Sequence, residues 1–258
     1  VSGHRFLSTR REGRALVVTI ERPEVLNALH APAHREMQAA FDAFAADDDL
    51  WIAILTGAGD RAFCAGNDLK HQAAHGLEPL PPAGFAGLAA RFDLAKPVIA
   101  AVNGVAMGGG FEAALACDIV VADGHARFAL PEPKVGMAAL AGGLLRLPRA
   151  IGIKRAMPLI LTGRAVTAAE GERLGFVSEI VPTGRALHRA LEIAGEIAAC
   201  GPAAVRAAKQ VAMRGLDLPL AEAMGRQGEW PAVQAMRASS DYVEGPRAFA
   251  EKRAPRWS

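Results

Sequence analysis

The chain has 258 residues, 51% hydrophobic and 22% charged, which suits one large globular domain, or one domain with a helical appendage. Its 29 basic and 27 acidic residues leave a net charge of +2 with no long basic cluster, which argues against a nucleic-acid partner, and no apolar run approaches the ~18 residues of a membrane span. Cys64, Cys117 and Cys200 are odd in number and lack metal-ligand or redox spacing, so free thiols in a reducing compartment are expected, and with no signal pattern at the N-terminus the expected location is cytoplasmic.

In chain order, Arg10, Arg11 and Arg14 read as a solvated face. Residues 15–20 read as a strand, ended by Glu21-Arg22-Pro23. Met37, Ala40, Phe41 and Phe44 share one helical face and predict a helix over 34–44, ended by Asp47-Asp48-Asp49. Residues 51–56 form a buried strand broken by Gly57-Ala58-Gly59. Residues 71–90, rich in Gly and Pro, read as a loop with some helix and a candidate mobile wall for a pocket. Further strands are predicted over 97–102, 117–122 and 126–130. From Gly142 onward the pattern is helical: 144–150, 153–161, 168–175, 185–199, 202–214 and 218–239. Alternation followed by helices predicts an α/β core with a helical C-terminal part.

One stretch carries more chemistry than the rest. Lys96-Pro97-Val98-Ile99-Ala100-Ala101-Val102-Asn103-Gly104-Val105-Ala106-Met107-Gly108-Gly109-Gly110-Phe111-Glu112 reads as a buried strand, a glycine turn and a helix start. Glycines without a Cβ let a ligand approach the backbone, and a helix start offers free N–H groups to negative charge. Glu112 is there either to stabilise the helix or to move protons. Glycine meets functional groups again in Arg61-Ala62-Phe63-Cys64-Ala65-Gly66-Asn67-Asp68-Leu69-Lys70 and in Phe128-Ala129-Leu130-Pro131-Glu132-Pro133-Lys134-Val135-Gly136.

Together with Arg22-Pro23, Asn27-Ala28-Leu29, Leu161-Thr162-Gly163 and Gly175-Phe176-Val177, these segments resemble the enoyl-CoA hydratase/isomerase (crotonase) superfamily across nearly the whole chain. Phe128-Ala129-Leu130-Pro131-Glu132, Leu145-Arg146-Leu147-Pro148 and residues 244–253 resemble its carnitinyl-CoA dehydratase branch. The resemblance implies a crotonase-like α/β fold: repeated ββα units in a spiral core over 1–195, then a helical oligomerisation region over 196–258. It implies an acyl-CoA thioester substrate, with coenzyme A part of that substrate and no separate cofactor. The backbone N–H groups of Asn67 and Gly109 would form an oxyanion hole beside Gly108. Glu112 would activate water for C3, and Glu132 would deliver a proton to C2. Ala28, Ala65, Asp68, Leu69 and Lys70 match the CoA neighbourhood, as do Phe249 and Lys252 near the C-terminus. The implied assembly is a homotrimer or a dimer of trimers.

The sequence departs from many hydratases after the second Glu. Gly136-Met137-Ala138-Ala139-Leu140-Ala141-Gly142-Gly143 stands where they read Gly-x-x-Pro-Gly-x-Gly-Gly. Leu140 keeps an N–H that would orient water, while Ala139 and Leu140 change the turn and narrow the acyl pocket. The paired acidic positions favour an enoyl-CoA hydratase over an isomerase, with a carnitinyl-CoA-type dehydratase as the alternative. A non-catalytic CoA- or RNA-binding homologue would predict a lost Glu or a lysine-rich helix; the helix at 34–46 is not lysine-rich. His30/His34 and His71/His75 have i, i+4 spacing, but no Glu follows the first His of either pair and Pro32 interrupts one, so no metal is expected. No His stands in a recognisable pattern to make Cys64 a nucleophile.

Overall fold

A computed structural model describes residues 3–76 and 78–258. Two compact units divide the chain. The first runs to Arg91 and resumes over Val98–Glu192; the second holds Phe92–Pro97 and Ile193–Ser258.

The first unit opens with β1 (Leu7–Glu12), β2 (Ala15–Ile20), α1 (Ala31–Ala46), β3 (Ile52–Gly57), β4 (Ala62–Cys64) and α2 (Leu69–His75). It continues with β5 (Val98–Val102), β6 (Val105–Met107), α3 (Gly109–Ala116), β7 (Ile119–Asp123) and β8 (Arg127–Ala129). Then come α4 (Gly143–Ile151), α5 (Ile153–Thr162), β9 (Val166–Thr167), α6 (Ala168–Leu174), β10 (Glu179–Val181) and α7 (Ala186–Ala198), which runs past Glu192. One sheet has the order β1-β2-β3-β5-β7-β10, the other β4-β6-β8-β9. Both advance by two strands at each central step, because β3/β4, β5/β6 and β7/β8 each send one strand to each sheet. That is the crotonase-like repeat of ββα units.

Central pairs are parallel; β1–β2 and β8–β9 are antiparallel edges. Every residue of β3 and β5 is buried, as a parallel sheet covered on both faces requires. Ile52, Ile54, Leu55 and Ile99 are 0% exposed, each contributing about 1.5–3 kcal/mol by burial.

Arg10 and Arg11 are exposed, as expected of a solvated face, and lie on β1, an edge strand whose only buried residue is Leu7. Two predicted elements are corrected. The single strand and glycine turn at 97–110 is β5, a crossing at Asn103-Gly104, then β6 in the other sheet. The helix expected over 218–239 is α9 (Leu220–Arg226), a tight turn and α10 (Pro231–Ala238). Pro231 supplies no N–H and forces Trp230 into extended backbone, φ −72° and ψ 142°.

The second unit is helical, with α8 (Pro202–Gly215), α9, α10 and α11 (Asp241–Ala250). Ala207, Ala223, Trp230 and Val233 form its buried cluster.

Candidate active site

Three neighbouring strands of the smaller sheet end at the site. β4, β6 and β8 run parallel, so their C-terminal ends lie side by side. β4 leads into Gly66-Asn67, β6 into Gly108-Gly109, and β8 into Leu130-Pro131-Glu132. Gly108 N–H donates to Ala129 O at 2.9 Å, Leu29 N–H to Gly66 O at 2.8 Å and Asp68 N–H to Leu29 O at 2.8 Å. The Asn67 N–H thus faces away from that bridge. Among the described residues, neither it nor the Gly109 N–H, at the first position of α3, has a protein acceptor. A Cβ on Gly66 would stand 3.3 Å from Gly109 N, so the two segments are in contact. Strand ends in a parallel sheet are where α/β folds collect ligands.

The glycine run fits around protein. A Cβ on Gly110 would sit 2.0 Å from Cys64 O, and one on Gly109 2.4 Å from the Phe85 ring. One on Gly108, where φ is +53°, would sit 2.8 Å from Glu132 Oε1. These contacts seat α3 against β4, against residues 84–87 and against the second carboxylate.

Glu112 lies in the first turn of α3 and is 3% exposed. Its Oε1 accepts the Gly143 N–H at 2.8 Å. Burial pushes Glu112 up to about 7; the Gly143 N–H opposes this, the Glu132 carboxylate adds to it, and the Arg146 guanidinium opposes it. Burial also raises Glu132, whose Oε2 is buried with no hydrogen-bond partner. Two partly desolvated carboxylates therefore interact beside two free backbone donors. Such a pair shares charge: ionising one disfavours ionising the other.

The remaining predicted residues sort into three places. Ala28, Ala65, Asp68, Leu69 and Lys70 gather around the Leu29–Asn67 bridge. Asp68 caps α2 through the His71 N–H at 3.0 Å and pairs with Arg22 at 2.9 Å; Arg22 also donates to Ala28 O. Lys70 and Leu69 are exposed. Leu140 is 83% exposed, and its N–H donates to Ala138 O at 2.9 Å. The backbone N–H groups of this segment that act on the Glu112 carboxylate are those of Gly143 and Ala141. Phe249 on α11 and Lys252 after it belong to the second unit.

Cys64 is fully buried, and burial pushes its thiol up to about 12. His71 and His75 stack at 4.2 Å, with His71 Nε2 3.0 Å from Glu78 Oε2. Among the described residues no group of three or more such side chains is arranged to hold a metal ion. The sequence alone assigns no role at the site to Phe85, His34, Gly143 or Arg146: Phe85 carries no signal, His34 stands out only as half of a metal-ligand spacing, and Gly143 and Arg146 are seen only within family-like segments.

Residues 10–258 match the enoyl-CoA hydratase/isomerase family. A carnitinyl-CoA dehydratase of Salmonella arizonae is 44% identical over 256 residues, covering 97% of each chain. A protein of that name from Escherichia coli is 42% identical with the same coverage. Among solved structures, an enoyl-CoA hydratase of Mycobacterium tuberculosis superposes with a TM-score of 0.92 at 39% identity over 98% of each chain. With its repeat, its strand-end glycines and its matches along nearly the full length, the chain belongs to the enoyl-CoA hydratase/isomerase family of the crotonase superfamily.

Proposed function

We propose that the protein reversibly adds water across the C2=C3 bond of a 2-enoyl-CoA thioester. The observation that carries this reading is the pairing of buried Glu112 with half-buried Glu132 beside the free N–H groups of Asn67 and Gly109. In the hydration direction, the thioester oxygen accepts both N–H groups. Glu112, ionised, takes a proton from water as the water oxygen bonds to C3. The C2=C3 π electrons move toward the thioester, and the charge on its oxygen is held by the two donors. Each such donor is typically worth about 2.7–4 kcal/mol of barrier. Glu132, protonated, gives its proton to C2 as the carbonyl re-forms. Proton exchange with solvent then resets the pair, and dehydration is the same path reversed. A carboxyl drawn up to about 7 is matched to this work near neutral pH.

A second reading concerns the acyl group. Relatives named carnitinyl-CoA dehydratase, 42–44% identical over 97% of the chain, support a carnitinyl thioester, dehydrated to crotonobetainyl-CoA. The chemistry at C2 and C3 is unchanged.

The test is loss of the conjugated enone absorbance with trans-2-enoyl-CoA thioesters of graded length and with crotonobetainyl-CoA. Turnover of at least one is expected. Glu112→Gln and Glu132→Gln should each lower kcat by about 100-fold or more. Full activity in either variant overturns the proton-transfer roles. Double-bond migration without water uptake would make the protein an isomerase, and CoA binding without any turnover a non-catalytic homologue.

A further inference from the structure

Residues 83–90 read from sequence as part of a mobile wall, yet they are stitched down on two sides. The Ala83 N–H donates to Gln38 Oε1 at 2.9 Å, and the Ala86 N–H to His34 Nδ1 at 3.1 Å, both acceptors on α1. Gly87 lies so close to α1 that a Cβ there would meet Gln38 N at 2.3 Å. From α4, Arg146 Nη2 donates to Ala89 O at 2.7 Å. The chain passes through left-handed backbone at Gly84, Ala86 and Gly87, with φ of +76°, +55° and +61°. Ala86 pays a steric penalty in that region, so the surrounding contacts must hold it there.

These contacts place Phe85. Its ring is edge-on to His34, centroids 4.4 Å apart, and the residue is 5% exposed. The ring fills the space where a side chain on Gly109 would project. His34 is 2% exposed. It accepts through Nδ1, so its proton is on Nε2. Burial pushes it down to about 4, which keeps it a neutral acceptor under ordinary conditions.

We infer that Phe85, held by His34, is a positioning residue that fixes the first turn of α3 and so aims the Gly109 N–H. The inference rests on the reading that this N–H receives the thioester oxygen. It also changes why position 109 must be glycine: the residue it makes room for is Phe85.

The experiment combines kinetics with trans-2-butenoyl-CoA and thermal unfolding of the full chain. Phe85→Leu should lower kcat by at least about tenfold, as displaced catalytic donors do, with KM within about twofold. His34→Leu should match it. His34→Asn, whose Oδ1 can accept the Ala86 N–H, should recover most of kcat. Gly109→Ala should lower the unfolding temperature by several degrees, and by clearly less when Phe85→Ala is already present, a coupling expected only of residues in contact. Wild-type kcat in Phe85→Leu, equal losses in His34→Asn and His34→Leu, or additive effects of Gly109→Ala and Phe85→Ala would each overturn the inference. Failure with trans-2-butenoyl-CoA moves the same kinetics to a thioester of the panel that is turned over, and failure with every one would overturn the functional reading alone; the unfolding coupling needs no turnover and still decides whether Phe85 sets Gly109.

Discussion

Gly108, Gly109 and Gly110 stand in one run but answer to three neighbours. The Phe85 ring can be replaced by a smaller side chain, and the Glu132 carboxylate can rotate. The Cys64 carbonyl opposite Gly110 is backbone, 2.0 Å from where a Cβ would be. Gly110→Ala should therefore destabilise by about 3 kcal/mol or more, measured by urea unfolding, with no side-chain substitution restoring it. Glu112 gives a second measurable consequence. Its ordinary value of 4.5 is pushed up to about 7 in the folded state, so the native protein holds a proton that the unfolded chain has released. Stability from this group is present below about pH 4.5 and is lost as pH rises through about 7. Glu112→Gln should thus flatten the fall in unfolding temperature between pH 5 and pH 8, a difference on the order of 2–3 kcal/mol. A variant whose pH profile parallels the unmodified chain would show that Glu112 is not held protonated. The carboxylates and glycines were visible in the sequence because they stand in contiguous, family-like segments. The roles of Gly143 and Phe85 were not, since each matters through an approach from a distant part of the chain: Gly143 is 31 residues from Glu112.

At the scale of elements, the apolar run from 97 to 107 contains two strands where pattern shows one. Hydrophobicity alone cannot mark a crossing between sheets when both sides of it are buried. Asn103 marks it here. Its Nδ2 donates to Gly57 O and Gly59 O, both at 2.7 Å, and its Oδ1 accepts the Gly57 N–H at 3.2 Å. Asn103→Ala should cost about 2–3 kcal/mol, because it strips partners from half-buried backbone at the point where β5 hands over to β6. Circular dichroism should still report folded protein with a lowered urea midpoint; an unchanged midpoint would mean the crossing is held by Gly104 and its neighbours alone. Longer helices were legible because their apolar faces recur over several turns, as in α1. β9 and β10 span two and three residues, too few for any period to emerge, and β1 hid behind its exposed arginines.

For the whole molecule, the strand alternation between two sheets accounts for the first unit, whose core is built of fully buried apolar side chains such as Phe41, Ile54, Ile99 and Phe111. The second unit has less to hold it. Its buried cluster is two alanines, Trp230 and Val233, while Met213, Leu216, Leu220, Met224, Val243 and Phe249 are each more than half exposed. Apolar side chains gathered at this density on a small helical unit gain free energy when covered, and a second copy of the chain is a partner always present at equal concentration. The crotonase resemblance implies a homotrimer or a dimer of trimers. Light scattering on the purified protein should accordingly give three or six times the chain mass. Leu220→Glu with Met224→Glu, one helical turn apart on α9, should shift that mass downward while leaving α-helical content nearly unchanged, since neither side chain belongs to the buried cluster. A monomer at micromolar concentration would show that these side chains tolerate water, and the C-terminal helices would then have to be stabilised by Trp230 and its neighbours without help from another chain.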